Sequence, residues 1–202
     1  MFKKIILALL LMVMAIPTIS SAQQVHTVQP GDTLWKISVR YQVGLSEIIA
    51  ANPQFNNPNL IYPGQRVNIP TLRAAKSIES QVIQLTNQER AKNGLKPLAA
   101  DWQLSRVARY KSADMRDKNY FSHTSPTYGS PFTMMKNFGV NYRSAAENIA
   151  AGQRTPNEVV QSWMNSPGHR KNILSPAYTH IGVGHATGGN YGHYWTQMFI
   201  AK

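Results

Sequence analysis

The chain has no cysteine among its 202 residues, so no disulfide can staple it and a packed core has to hold it together. Acidic residues are few, 9 against 21 Lys and Arg, giving a formal net charge of +12. The basic residues form no dense run and no nucleic-acid-binding motif accompanies them, so a specific nucleic-acid partner is not indicated. A basic surface of this size favours anionic polymers and anionic lipid in general. Long apolar runs are missing as well, except Ile5 to Ile16, which is too short to cross a bilayer as a helix.

That run follows Lys3 and Lys4 and precedes Ser20-Ser21-Ala22, the order of a secretory signal peptide over residues 1–22. Cleavage would remove two lysines and leave 19 basic against 9 acidic residues, +10, on 180 residues. Such a length suits one small module and one domain of ordinary size. Export without cysteine favours a bacterial secreted protein, whose abundant polyanionic neighbours are the polymers of the cell wall.

Residues 25–70 read VHTVQPGDTLWKISVRYQVGLSEIIAANPQFNNPNLIYPGQRVNIP. The pattern predicts a strand from Val25, a turn at Pro30-Gly31 and a helix capped by Asp32 or Thr33, with Leu34, Ile37 and Tyr41 inward. A second helix follows, capped by Ser46 with Ile48 and Ile49 inside and ended by Asn52-Pro53; a closing strand runs from Gln65 to Ile69. The G-D-T-L-W-x-I opening, the central Asn and the N-L-I-x-P-G-Q closing motif make this segment strongly resemble a LysM domain. The resemblance implies binding of N-acetylglucosamine-containing glycan, peptidoglycan or chitin, without catalysis. It places the glycan groove between Gly31, Asp32, Thr33 and Leu34 on one loop and Pro58, Asn59, Leu60 and Ile61 on the other. Tight Gly/Pro turns with an apolar floor suit a neutral acetamido sugar. The module itself is close to neutral, so its recognition should depend little on salt.

Residues 71–76, TLRAAK, read as a short basic linker without the Gly/Ser richness of a flexible tether. From Ser77 the pattern is helical, with Ile78, Val82, Ile83 and Leu85 inward. Asp101 caps a second helix whose basic stripe is expected to be a solvated surface. A short helix, TMMKNFG, and a helix with a Thr155–Glu158 capping box follow, then a turn at Ser166-Pro167-Gly168. Residues 180–186 and 194–200 read as buried strands around a Gly-rich hairpin. Helices first and strands late predict an antiparallel sheet between helical layers.

Five motifs in order carry a second resemblance over residues 77–202: N-x-E-R from Asn87, F-S-H from Phe121, A-E-N-I from Ala146, W-M-N-S-P-G-H-R from Trp163 and Y-W-T-Q from Tyr194. They resemble the CAP superfamily, the cysteine-rich secretory, antigen and pathogenesis-related proteins, in a cysteine-free bacterial form. The implied fold class is α+β, a small βααβ LysM module followed by an α-β-α sandwich.

The family also implies a cleft with two His and two Glu that can bind a divalent metal. His123 and Glu147 match that pattern. The second His falls on Tyr194, with His193 one place earlier and so facing the other side of a strand, and the second Glu falls on or near Ser166. His169 is a further candidate, which makes His123, Glu147 and His169 the metal candidates and adds Tyr194 as a cleft residue. A zinc site wants three or four ligands, and no cofactor is required by these residues otherwise. His26, His180 and His185 read as structural, as do Trp102, Trp163 and Trp195.

A His123–Glu147 pair could serve as general base for water attack, but no Ser or Cys nucleophile with a matching base accompanies it. The first functional expectation is therefore a wall-bound protein whose CAP domain is a binding or scaffold module. Related proteins of spore-forming Gram-positive bacteria extend that to the spore coat or cortex. The alternatives are a wall-acting hydrolase using His123 and Glu147, and a lipid-binding protein, which would need an apolar groove.

Overall fold

The computed structural model describes residues 24–202; the segment read as a signal peptide lies outside the described residues. In the first module β1 (Gln24–Thr27) pairs antiparallel with β2 (Arg66–Ile69), Gln24 opposite Ile69. Between them run α1 (Leu34–Tyr41) and α2 (Leu45–Ala50). Thr33 provides the cap of α1, its hydroxyl accepting from Lys36 N at 3.1 Å. Asp32 has another role, described below. Leu34, Ile37, Val43, Ile48, Val67 and Ile69 form the core.

Two details differ from expectation. The N-cap of α2 is Gly44, and Ser46 instead donates its hydroxyl to Glu47. Ile48 is buried but Ile49 is exposed, because a two-turn helix shows the core only one narrow stripe. Asn52 is buried and stitches α2 to β2, donating to the carbonyls of Ile48 and Asn68 and accepting from Asn68 N.

The second module begins with α3 (Arg73–Lys92), so residues 73–76 of the expected linker are its first turn. Next come β3 (Ala99–Ala100), α4 (Trp102–Asp117), α5 (Pro131–Asn137), β4 (Ser144–Ala151), α6 (Pro156–Met164), α7 (Pro167–Ile173), β5 (His180–Thr187) and β6 (His193–Ala201). The sheet order is β3-β5-β6-β4. β5 and β6 are antiparallel as expected; β4, not expected as a strand, pairs antiparallel with β6, and β3 joins the edge in parallel. Where a Pro-Gly turn was expected, α7 begins, with Pro167 in its first turn.

One sheet face meets α3, α6 and α7 through Ile181, Val183, Trp195 and Phe199. The opposite face meets α4 and α5, with Leu104, Ala108, Met134, Met198 and Ile200 in its core. The alternation in H-I-G-V-G-H has a direct cause. A Cβ at Gly182 or Gly184 would collide with the α4 backbone at Leu104–Ser105 and Ala108–Arg109, so only glycine lets α4 lie flat on β5.

Arg106, Arg109 and Lys111 of the α4 basic stripe are not solvated, while Arg116 near its end stays a third exposed. Arg106 Nε donates to Glu47 Oε1 at 2.9 Å and its Nη2 to Ser46 Oγ at 2.8 Å, joining the two modules. The guanidinium also lies over the rings of Tyr110 and Phe138, at 5.3 and 5.1 Å. Arg109 pairs with Glu79 at 2.6 Å, and Lys111 has no exposed surface. These cations are consumed by the α4 packing surface because the helix is covered by both modules.

Candidate functional site

The site is built on the last two turns of α4. Lys111 Nζ donates to Tyr120 Oη at 3.1 Å and to the carbonyls of Ser122 and His123 at 2.7 and 2.9 Å. One turn on, Asp114 accepts from the hydroxyls of Tyr120, Ser125 and Thr127, each at 2.6 Å. Burial would raise the Asp114 pKa, but these three donors outweigh it and hold the carboxylate low. Together the two side chains fix the 120–128 loop, and with it His123.

His123 Nδ1 meets Glu147 Oε1 at 2.7 Å. The imidazole is half exposed while the Glu147 side chain is 1% exposed, so the pair meets solvent through the histidine. Burial pushes the Glu147 pKa above the ordinary carboxylate range, against the pull of His123 and the nearby Lys111 ammonium. Glu147 Oε2 is buried without a partner.

His169, in the first turn of α7, has its Nδ1 buried without a partner as well. Its pKa is lowered by burial and, less strongly, by His123. Tyr194 shares the sheet face of Glu147, but it is paired with Ala151, four residues along β4. It is fully buried, and its hydroxyl accepts from Tyr191 N at 3.4 Å. His193 is on the other face, hydrogen-bonded to His185 at 3.0 Å beside Trp195.

The donor set does not fit the four-ligand metal site that the family resemblance implies. Tyr194 is spent in the core, Ser166 is the N-cap position of α7, and His123 already gives one nitrogen to the sole carboxylate. Among the described residues no three His, Cys, Asp or Glu side chains are grouped to hold a metal ion.

Most other motif residues are ties. Arg90 donates to the carbonyls of Lys96, Ile173 and Ser175, and Asn87 exchanges two bonds with the Leu98 backbone. Asn148, Gln197, Thr86 and Asn172 form a buried chain, from which Asn148 Nδ2 also donates to the His169 carbonyl. A cavity between α3 and α6, about 200 Å³, is lined by Glu89, Asn157, Gln161 and Arg170 together with Leu85, Val160 and Met164.

In the first module Asp32 is turned inward, taking Gln29 N at 2.9 Å, His26 Nε2 at 2.8 Å and Arg40 Nη2 at 3.3 Å. Leu34 is in the core. Of the first loop, Gly31 and Thr33 are exposed and the Gly31 carbonyl accepts from Lys36 Nζ. Of the second, Asn59 and Leu60 are exposed, and Pro58 and Ile61 half-buried. Asp32 and Leu34 thus offer a sugar their backbone rather than their side chains. Trp35, 61% exposed, and Tyr62, 55% exposed, are apolar surface near these loops in sequence that the motif reading passed over. Trp35 was readable, because it falls off the Leu34–Ile37 stripe.

Lys111 was readable too, since it occupies the 104–108–111–115 heptad positions that the buried stripe of α4 uses. Asp114 carried no such signal, because its partners come from a loop.

A βααβ module is thus joined through Arg106 to an α-β-α sandwich with a His–Glu cleft. The chain belongs to the CAP, or cysteine-rich secretory protein, family, whose sequence model matches residues 83–199; a LysM domain is matched over residues 26–70. It is 61% identical over 129 residues to the uncharacterized protein YkwD of Bacillus subtilis, covering 64% of this chain and 49% of that protein. Over 48 residues, 24% of this chain and 8% of the relative, it is 44% identical to the spore coat assembly protein ExsA of Bacillus cereus. An extracellular protein with an SCP domain from Bacillus anthracis superimposes with a TM-score of 0.58 at 38% identity, over 69% of this chain and 47% of that one. The chain spans about half the length of YkwD and of the Bacillus anthracis protein.

Proposed function

We propose that this is an exported, wall-associated bacterial protein that the LysM module holds on N-acetylglucosamine-containing glycan, with the CAP domain acting there as a binding module. The observation that carries the reading is the intact βααβ module with both turn loops open to solvent at Gly31, Thr33, Asn59 and Leu60. For the second domain the support is chemical: one His pairs with one Glu, and among the described residues no serine hydroxyl hydrogen-bonds to either side chain. Similarity to the spore coat assembly protein ExsA supports a place in the spore envelope. The net positive charge adds a salt-sensitive attraction to anionic wall polymers.

The test is incubation of the protein, freed of residues 1–22, with purified sacculi, scoring pelleting and release of soluble fragments. Pelleting without release, lost on deletion of residues 25–70 and little affected by salt, is expected. Pelleting that survives the deletion and is reversed by salt would make targeting electrostatic and defeat the LysM reading.

The 2.7 Å His123–Glu147 contact favours one second reading, a wall hydrolase with that pair as general base. Fragment release that disappears in His123→Ala and Glu147→Gln, with pelleting kept, would establish it in place of the binding reading.

A further inference from the structure

Outside the His–Glu pair, the CAP domain carries two exposed aromatic rings that meet each other. Phe121, 46% exposed, precedes His123 by two residues, and Tyr191, 53% exposed, sits in the β5–β6 hairpin. Their centroids are 6.2 Å apart with the planes tilted by 53°. Tyr191 stands edge-on to the buried Tyr194 at 5.7 Å, which fixes it from beneath. Aromatic rings held at a surface lose apolar burial that a core position would give them, so a pair kept outward is a contact surface.

Around His123, which touches Glu147 and whose charge acts on His169, two buried atoms lack partners, Glu147 Oε2 and His169 Nδ1. A carboxylate oxygen asks for a donor. A neutral imidazole nitrogen asks for a donor or an acceptor, according to its tautomer. A hydroxyl supplies either, and a ring bearing several hydroxyls on its edge and axial C–H groups on its face also suits an aromatic platform. Charge argues for a neutral ligand, since the Glu147 carboxylate already lies near the buried Lys111 ammonium and His123. The register adds a length. Tyr194, under the platform, is four residues along the sheet from the Glu147 level, roughly 13 Å at the strand rise, more than one sugar ring covers.

We infer that this face of the CAP domain is a second saccharide subsite, taking a neutral N-acetylhexosamine oligomer with Phe121 and Tyr191 against the ring faces and the exposed His123, backed by Glu147 and His169, on its polar edge. This rests on the binding reading above and names the ligand class of that same domain. Arg106, which ties the LysM module to the helix that carries Lys111, would present both subsites to one glycan in a fixed relation.

The experiment is a titration of the full protein with a soluble β-1,4-linked N-acetylglucosamine tetramer, followed by NMR of the aromatic and imidazole side chains. Shifts are expected in two separate sets, one around Trp35 and Tyr62 and one including His123, Phe121 and Tyr191. In a Phe121→Ala/Tyr191→Ala variant the second set should weaken about tenfold in apparent affinity while the first is unchanged. Both side chains are exposed, so the variant keeps its core. Shifts confined to the LysM set at saturation, or His123 shifts of undiminished affinity in the variant, would overturn the inference. Cleft shifts without LysM shifts would instead refute the LysM reading and leave the second subsite standing.

Discussion

Lys111 Nζ donates to the main-chain carbonyl of His123 at 2.9 Å from a position with no exposed surface. A buried ammonium is costly unless each proton finds an acceptor, and here Tyr120, Ser122 and His123 provide three. Its presence also gives the buried Glu147 a counter-charge.

Replacing Lys111 by Met should therefore remove two things at once, the anchor of the 120–128 loop and the charge facing Glu147. The expected loss is about 3 kcal/mol or more in urea unfolding, since an uncompensated buried carboxylate remains. Adding Glu147→Gln should recover part of it, and a strictly additive double-mutant cycle would show the two groups to be uncoupled.

The module junction has its own test. Arg106→Ala deletes the bonds to Glu47 and Ser46 and the cover over Tyr110 and Phe138. Calorimetry should resolve the single melting transition expected of the parent into two. Gly44→Ala should act the same way, because a Cβ there collides with Glu47 and Arg106.

Two glycines should respond in opposite senses to alanine. Gly184→Ala forces α4 off β5 and should cost about 3 kcal/mol. At Gly168, in the first turn of α7, an added Cβ meets nothing within 4 Å, and alanine should be neutral or stabilise by up to about 1 kcal/mol.

Glu79 gives a pH signature. Burial raises its pKa from 4.5 to about 7 despite the 2.6 Å contact with Arg109 and the proximity of Lys76. The folded state thus holds a proton that the unfolded chain releases between those values, so this group's contribution falls as pH rises from about 4.5 to 7, by at most roughly 3 kcal/mol. His185, pushed down to about 4 by burial and His193, acts in the opposite sense, its contribution falling as pH drops from 6.5 to about 4. Unfolding of Glu79→Gln across this range should show the His185 slope without its counterweight; an unchanged pH profile would refute the Glu79 assignment.

Much was legible in the sequence for identifiable reasons. Thr33, Asp101 and Thr155 cap helices because a short side-chain oxygen answers a local backbone amide three residues on. The alternating strands of residues 180–186 and 194–200 and the opposed facing of His193 and Tyr194 follow from spacings within one element, and the LysM and CAP motifs were legible as resemblances to known families. The parallel pairing of β3 with β5 escaped that reading, as did the helix α7 and the strand β4 under the A-E-N-I motif.

The sequence by itself determined the local elements, because caps, turns and periodicity act over a few residues, and its motifs carried the two family resemblances that single out His123 and Glu147. Tertiary structure alone decided that Arg106 and Arg109 pair with distant carboxylates rather than with solvent, that Tyr194 belongs to the core, and that Phe121 and Tyr191 meet. Each of these depends on a partner 30 or more residues away in the chain, as in Arg109 with Glu79, Arg106 with Glu47 and Phe121 with Tyr191, and no local pattern encodes which distant surface closes over a side chain.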